Sequence, residues 1–163
     1  MKKLAVSLLF ALYFCAASFA TQISFQIVQK DSTCKEVNDK SYDIETFVLD
    51  GFFDRNYIVT TSEPTVFETE ADSSSLWKNG LREAFDGSSD YFVQIAVYYI
   101  ADENLRNPVG MIDRIEWKLA VVKTGIVIGS DSVTEIQLKP NGLEDLGKIS
   151  LNLVKTINNS IKA

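Results

Sequence analysis

The sequence predicts a single α+β domain: helices cover a mixed sheet of about five strands, about three helices in all, in the order β-α-β-α-β-β-β-α. Three observations lead there. Several short segments alternate apolar and polar residues with a period of two, and three longer ones repeat apolar residues at spacings of three and four. No internal repeat or low-complexity linker interrupts residues 21–163.

The elements follow in order. "TQISFQIVQK" sets Ile23, Phe25 and Ile27 against Gln22, Ser24 and Gln26, the mark of a strand with one wet face. Asp31 to Lys40, which holds Cys34, has no periodicity and reads as a loop. Ser41 is placed to cap a helix with Asp43 and Glu45 in its first turn and a stripe of Ile44, Phe47, Val48 and Phe52. Gly51 falls in that stripe; a glycine there costs about 1 kcal/mol of propensity, which close approach to a neighbouring element would explain. Asn56 can end the helix in a left-handed conformation, and "YIVTT" is a short strand closed by Glu63-Pro64.

"SLWKNGLREAF" presents Leu76, Gly80, Leu81, Ala84 and Phe85 on one helical face, and "DGSSD" stops it. "YFVQIAVYYI" is apolar on both faces, so it belongs in the middle of a sheet. After the loop "ADENLRNPVG", "IDRIEWKLAVV" and "GIVIGSDSVTEI" form a long strand pair. A three-residue turn at Lys123-Thr124-Gly125, with glycine in a left-handed bulge position, would set Val122 opposite Ile126 and Trp117 opposite Asp131. The stretch from Leu143 to Ile161 is an amphipathic helix carrying Leu146, Ile149, Leu153, Val154, Ile157 and Ile161.

Ahead of this domain, "MKKLAVSLLFALYFCAASFA" has Lys2 and Lys3, an apolar run and a small-residue end at Ala20. It reads as a cleavable export signal over residues 1–20, leaving residues 21–163 as one envelope domain that does not span a membrane. A competing reading is a lipobox at Leu12-Tyr13-Phe14-Cys15, with Cys15 as the lipid anchor and the chain tethered as an outer-membrane lipoprotein; bulky Phe14 stands where a small residue is usual. Loss of Lys2 and Lys3 takes the formal charge from −6 to −8, a balance that repels nucleic acid and anionic lipid. Cys34 becomes the only thiol, which suits a bacterial periplasm better than a eukaryotic secretory route. Asn158-Asn159-Ser160 fits a glycosylation triplet that has no meaning there.

Ser75-Leu76-Trp77-Lys78, Ser89-Asp90 and Lys123-Thr124-Gly125 stand in the order of the penicillin-recognising serine enzymes. The spacing is far too short for the helical domain those enzymes place between their first two motifs, and the triplet interrupts the apolar alternation as a turn does. The chain contains no histidine, which removes histidine triads and most zinc sites. Cys34 lacks a catalytic partner, and Glu68, Glu70 and Asp72 lack the glycine turn of a calcium loop. No catalytic, cofactor-binding or metal-ligating residue is therefore assigned. Tyr91, Phe92, Tyr98, Tyr99 and Trp117 read as core, with Tyr98 and Tyr99 on opposite faces of their strand.

"SSDYFVQIAVYYI" and, after a loop, "EWKLAVVKTGIVIGSDSV" with its terminal helix resemble the periplasmic α/β domains of the TolB amino-terminal, CsgG and LpoB type. Asp90-Tyr91-Phe92-Val93 matches the start of the family's central strand, and Lys123-Thr124-Gly125-Ile126-Val127 its turn and return strand. Val121 departs from the aspartate usual before the turn. The likeness spans about Tyr42 to Ile161 and consists of fold-forming positions, so it transfers no functional residue. It implies a non-enzymatic periplasmic interaction or adaptor domain with an envelope protein as partner, such as an accessory factor in cell-envelope assembly. The hairpins of a CsgG pore are not visible. The alternatives are a serine acyl-transfer enzyme using Ser75 and Lys78, or a carrier of small apolar ligands.

Overall fold

The computed structural model describes residues 20–31, 34–101 and 110–163. Residues 1–19 of the expected export signal, Cys15 among them, lie outside the described residues. Eight elements follow one another: β1 (Gln22–Asp31), α1 (Asp39–Phe53), β2 (Ile58–Val66), α2 (Glu70–Asp86), β3 (Tyr91–Ala101), β4 (Gly110–Val121), β5 (Ile126–Val133) and α3 (Leu146–Lys162). This is the predicted α+β order. The sheet runs β2-β1-β3-β4-β5. β1 is parallel to both β2 and β3, while β3–β4 and β4–β5 are antiparallel.

The apolar stripes decide which helix covers which face. Ile44, Val48 and Phe52 of α1 and Ile149, Leu153, Val154 and Ile157 of α3 meet Ile23, Phe25 and Ile27 of β1, Val93, Ile95 and Val97 of β3, and Ile115, Trp117 and Leu119 of β4 in one cluster. Gly51 is where α1 touches α3, since a Cβ there would lie 3.1 Å from Val154 Cγ2. Lys40 at the start of α1 pairs with Glu144 and donates to the Gly110 carbonyl, tying both helices to the start of β4.

α2 lies on the opposite face. Its contacts fall into two smaller clusters, Val28, Phe67, Ala96 and Tyr98 with Leu76, and Ala84, Phe92 and Val122 with Trp77 and Leu81. Between them lie the buried polar residues Ser24, Gln26 and Gln94. Gly80 lets the helix rest on Phe92, because a Cβ there would stand 2.4 Å from the ring. β1 consequently has no wet face: Ser24 and Gln26, expected in solvent, are covered by α2.

Other boundaries move for identifiable reasons. Asn38, not Ser41, caps α1 by accepting from the Lys40 amide; Ser41 is buried, its hydroxyl shared with Gln29 Oε1 and the Tyr99 hydroxyl. Asn56 is left-handed as expected, at φ 63°. β2 continues through Glu63 and Pro64 because Gln26 pairs with Ser62 and Val28 with Thr65, so both residues oppose Ile27 in a bulge on an edge strand, where a missing N–H is tolerated. α2 begins one turn before the predicted segment: Thr69 and Asp72 form a capping box, Asp72 Oδ2 accepting from the Thr69 amide at 2.9 Å. Phe85 is 60% exposed, its place on the buried face taken by Trp77. Phe47 is likewise largely outside the core, and α3 starts at Leu146 behind the Asp145 cap, leaving Leu143 exposed.

Candidate protein-interaction surface

The hairpin comes first, because the sequence motifs meet there. Gly125 has φ 67° and donates its N–H to the Val121 carbonyl at 2.8 Å. Val121, not Val122, pairs with Ile126, so the connection has four residues. Val122 is drawn away by its N–H bond to the Asp90 carbonyl and by packing against Ala84 and Phe92. Ile128 is then left unpaired in a bulge between the Ala120–Val127 and Leu119–Gly129 pairs, and Trp117 still opposes Asp131.

Ser75 and Lys78 lie on the exposed side of α2. The Ser75 hydroxyl donates to the Ala71 carbonyl of its own helix. A Cβ added at Gly125 would meet Leu81 Cδ2 of α2 at 3.8 Å, and Ser75 is six residues, about 9 Å, farther along that helix. Ser89 is buried and Asp90 accepts from the Gln22 amide. The three motif segments thus do not converge on one cleft. Asp72 serves the α2 cap, and among the described residues no group of three or more His, Cys, Asp or Glu side chains is placed to hold a metal.

Among the described residues, two grooves at the surface merit description. One, of about 580 Å³, lies at the carboxyl ends of β1 and β2, between the departures of α1 to one face and α2 to the other, the position where open α/β sheets bind ligands. Its lining mixes both charge signs and includes Lys30, Cys34, Glu68, Tyr98 and Arg114. Arg114 stacks 3.6 Å over the Tyr98 ring while donating to Glu116 and Asp113. Burial, and then the hydrogen bond to Glu116, push the Tyr98 phenol up to about 12. These partners hold one another. Cys34 is exposed, with its sulfur accepting from the Glu36 amide.

The second groove, about 480 Å³, lies beside α2 over the open half of its face, lined by Ser73, Gln94, Glu116, Lys118, Ser130 and Ser132 among others. Lys118 lies 3.9 Å over Trp77, and burial lowers its pKa. Glu70, Glu116 and Asp131 also line it, three carboxylates against the single ammonium of Lys118, so the groove is acidic on balance.

β5 differs from both grooves. It is the outer strand on its side of the sheet, and Ile126, Val127 and Ile128 are 61%, 44% and 40% exposed in succession. Its outer backbone edge carries no strand among the described residues. Three consecutive exposed aliphatics on an open edge form a surface suited to pairing with another chain. The strand is legible in the sequence but its exposure is not; the lapse of alternation in Ile126-Val127-Ile128, followed by Gly129-Ser130-Asp131-Ser132, is the available signal. Among the described residues no helix is long and apolar enough to cross a membrane.

Comparison with known proteins gives related shapes at low identity. Lipoprotein GNA1162 from Neisseria meningitidis is 14% identical, with 86% of this chain and 99% of that one covered and a TM-score of 0.49. The PelC dodecamer from Paraburkholderia phytofirmans is 12% identical over 86% and 87%, TM-score 0.44. The LpoB C-terminal domain from Salmonella enterica is 11% identical over 79% and 94%, TM-score 0.38. No curated protein matches at a significant level. A family model described as "Uncharacterised protein" matches residues 22–160, and the chain belongs to that family.

Proposed function

We infer that this chain is an exported, non-enzymatic domain of the cell envelope that acts by contact with protein, as an adaptor or accessory factor in envelope assembly. The observation that carries the reading is the open β5 edge with its exposed Ile126, Val127 and Ile128. The export signal over residues 1–20 supports the location. The resemblance of Asp90–Val93 and Lys123–Val127 to TolB, CsgG and LpoB domains supports the role, since those residues begin β3 and form the turn into β5.

The test is a photo-crosslinking side chain at Val127 in intact cells, with Thr60 on β2 as the control. Adducts at Val127 that are missing at Thr60 are expected; equal labelling at both, or none, counts against the reading. Mass spectrometry of the mature protein is expected to begin at Thr21, whereas an acylated Cys15 would replace a diffusing domain by a tethered one.

A further inference from the structure

The tripeptide Asn-Gly-Leu occurs twice, at residues 79–81 and 141–143, and the fold holds the two copies in opposite settings. The first lies inside α2. Its Gly80 is buried against the Phe92 ring, and Leu81 packs beside Ala84, Phe92 and Val122. The second lies in the turn Lys139-Pro140-Asn141-Gly142, closed by a bond from the Gly142 N–H to the Lys139 carbonyl at 2.9 Å. Asn141, Gly142 and Leu143 are all exposed, and a Cβ at Gly142 would meet nothing within 4 Å. The Leu143 N–H donates to Asn141 Oδ1 at 3.2 Å. That bond folds the side-chain amide back along the following peptide and draws electron density from its carbonyl carbon.

We propose that Asn141 is a site of spontaneous covalent modification: the Gly142 nitrogen attacks Asn141 Cγ and isoaspartate accumulates there, while the same tripeptide in α2 stays intact. Ring closure forms the bond from Gly142 N to Asn141 Cγ and breaks the bond from Cγ to Nδ2. Nδ2 departs as ammonia, carrying the proton that Gly142 gives up. Water then opens the succinimide at one carbonyl or the other, leaving aspartate or isoaspartate, and no other reactant is consumed. For the attack, the Gly142 N–H must leave the Lys139 carbonyl, which is the opening of a single exposed turn and costs little. Gly80 must instead come out of a helix and off the Phe92 ring. Isoaspartate carries the main chain through the former side-chain carbonyl, adding a carbon to the backbone inside the Leu138–Glu144 bridge. Glu144 accepts from the Ile112 amide at 2.8 Å and pairs with Lys40, so the lengthened turn loosens the tie between α1, β4 and the segment leading into α3.

The test is to hold the mature exported protein at mildly alkaline pH, digest it at acid pH where the reaction is slow, and follow both peptides by mass spectrometry. Enzymatic methylation of isoaspartate gives a second readout. In the folded protein the Asn141 peptide is expected to gain a mass unit at least about tenfold faster than the Asn79 peptide. In urea the two rates converge, because the two tripeptides are the same. Hydrogen exchange at the Ile112 amide is expected to be faster in the isoaspartate form than in fresh protein, and to stay slow in Asn141→Gln protein incubated alike. Asn141 reacting no faster than Asn79 in the folded state, or Asn141 reacting only once urea is added, overturns the proposal. Equal exchange at Ile112 in the modified and fresh forms overturns the loosening of the Glu144 tie.

Discussion

The two faces of the sheet are covered by different means. Beneath α1 and α3 the apolar side chains of β1, β3 and β4 join in one large cluster, with the buried Gln29 and Ser41 bonded to each other beside it. Beneath α2 there are two small clusters, parted by Ser24, Gln26 and Gln94. Area holds the first pair of helices, since burial stabilises by about 25 cal/mol per Å². α2 depends instead on a few anchors, namely Trp77 on Phe92 at 5.1 Å, the Gly80 approach, the Thr69–Asp72 cap and Lys118 over Trp77. The comparison teaches that α2 is the element that opens first, with its amides exchanging at lower free energy than those of α1 and α3. Native-state hydrogen exchange measures this; equal protection of all three helices would erase the distinction.

The largest expected effect is on the continuous face. Phe52 is fully buried and meets Phe25 at 6.2 Å and Tyr57 at 5.9 Å, so Phe52→Ala costs about 3–5 kcal/mol in urea unfolding. Next is Gly80→Val. A side chain cannot share the space of the Phe92 ring, and overpacking costs about 1–3 kcal/mol. Phe92→Leu in the same chain recovers part of the loss if α2 is held by that contact, and recovers nothing if the defect lies elsewhere.

The third effect is alkaline. The Tyr98 phenol is raised from 10.0 to about 12, so the unfolded chain loses this proton first and stability falls as pH rises through that interval. Urea midpoints measured across this range check the slope, which Tyr98→Phe is expected to reduce. Lys118, lowered by burial, opposes it: its penalty is present at lower pH and is relieved as pH approaches the unfolded value of 10.5. The smallest effect is expected in the polar band. Gln26 Oε1 and Gln94 Nε2 lack partners although their residues are neighbours across β1 and β3. Replacing both by leucine is therefore near neutral or stabilising by less than about 1 kcal/mol. A clear loss would mean that the amides fix where α2 lies.

Much of the fold was legible because periodicity reports burial. The stripe of α3 and the two-faced β3 come directly from residue spacing, as does the close approach at Gly51. What failed was local and context-dependent. Ser24 and Gln26 looked wet because alternation records polarity, whereas α2 covers them through long-range topology. Pro64 looked like a terminator because its edge position and bulge are properties of the partner strand. The Thr69-x-x-Asp72 cap was readable in the chain but hidden within an acidic stretch. The candidate surface was the least legible part, since strand order decides whether Ile126–Ile128 face a neighbour or solvent.

The four-residue connection before β5 and the extra residue at Ile128 cancel, so Trp117 meets Asp131 as it would across a tighter turn with no bulge. Both arrangements use the same number of residues between these two positions. The tip of the hairpin therefore has one residue of slack, and a slip there stays within residues 120–128. Changes to the tip can reshape what the molecule presents outward while its interior keeps the same alignment.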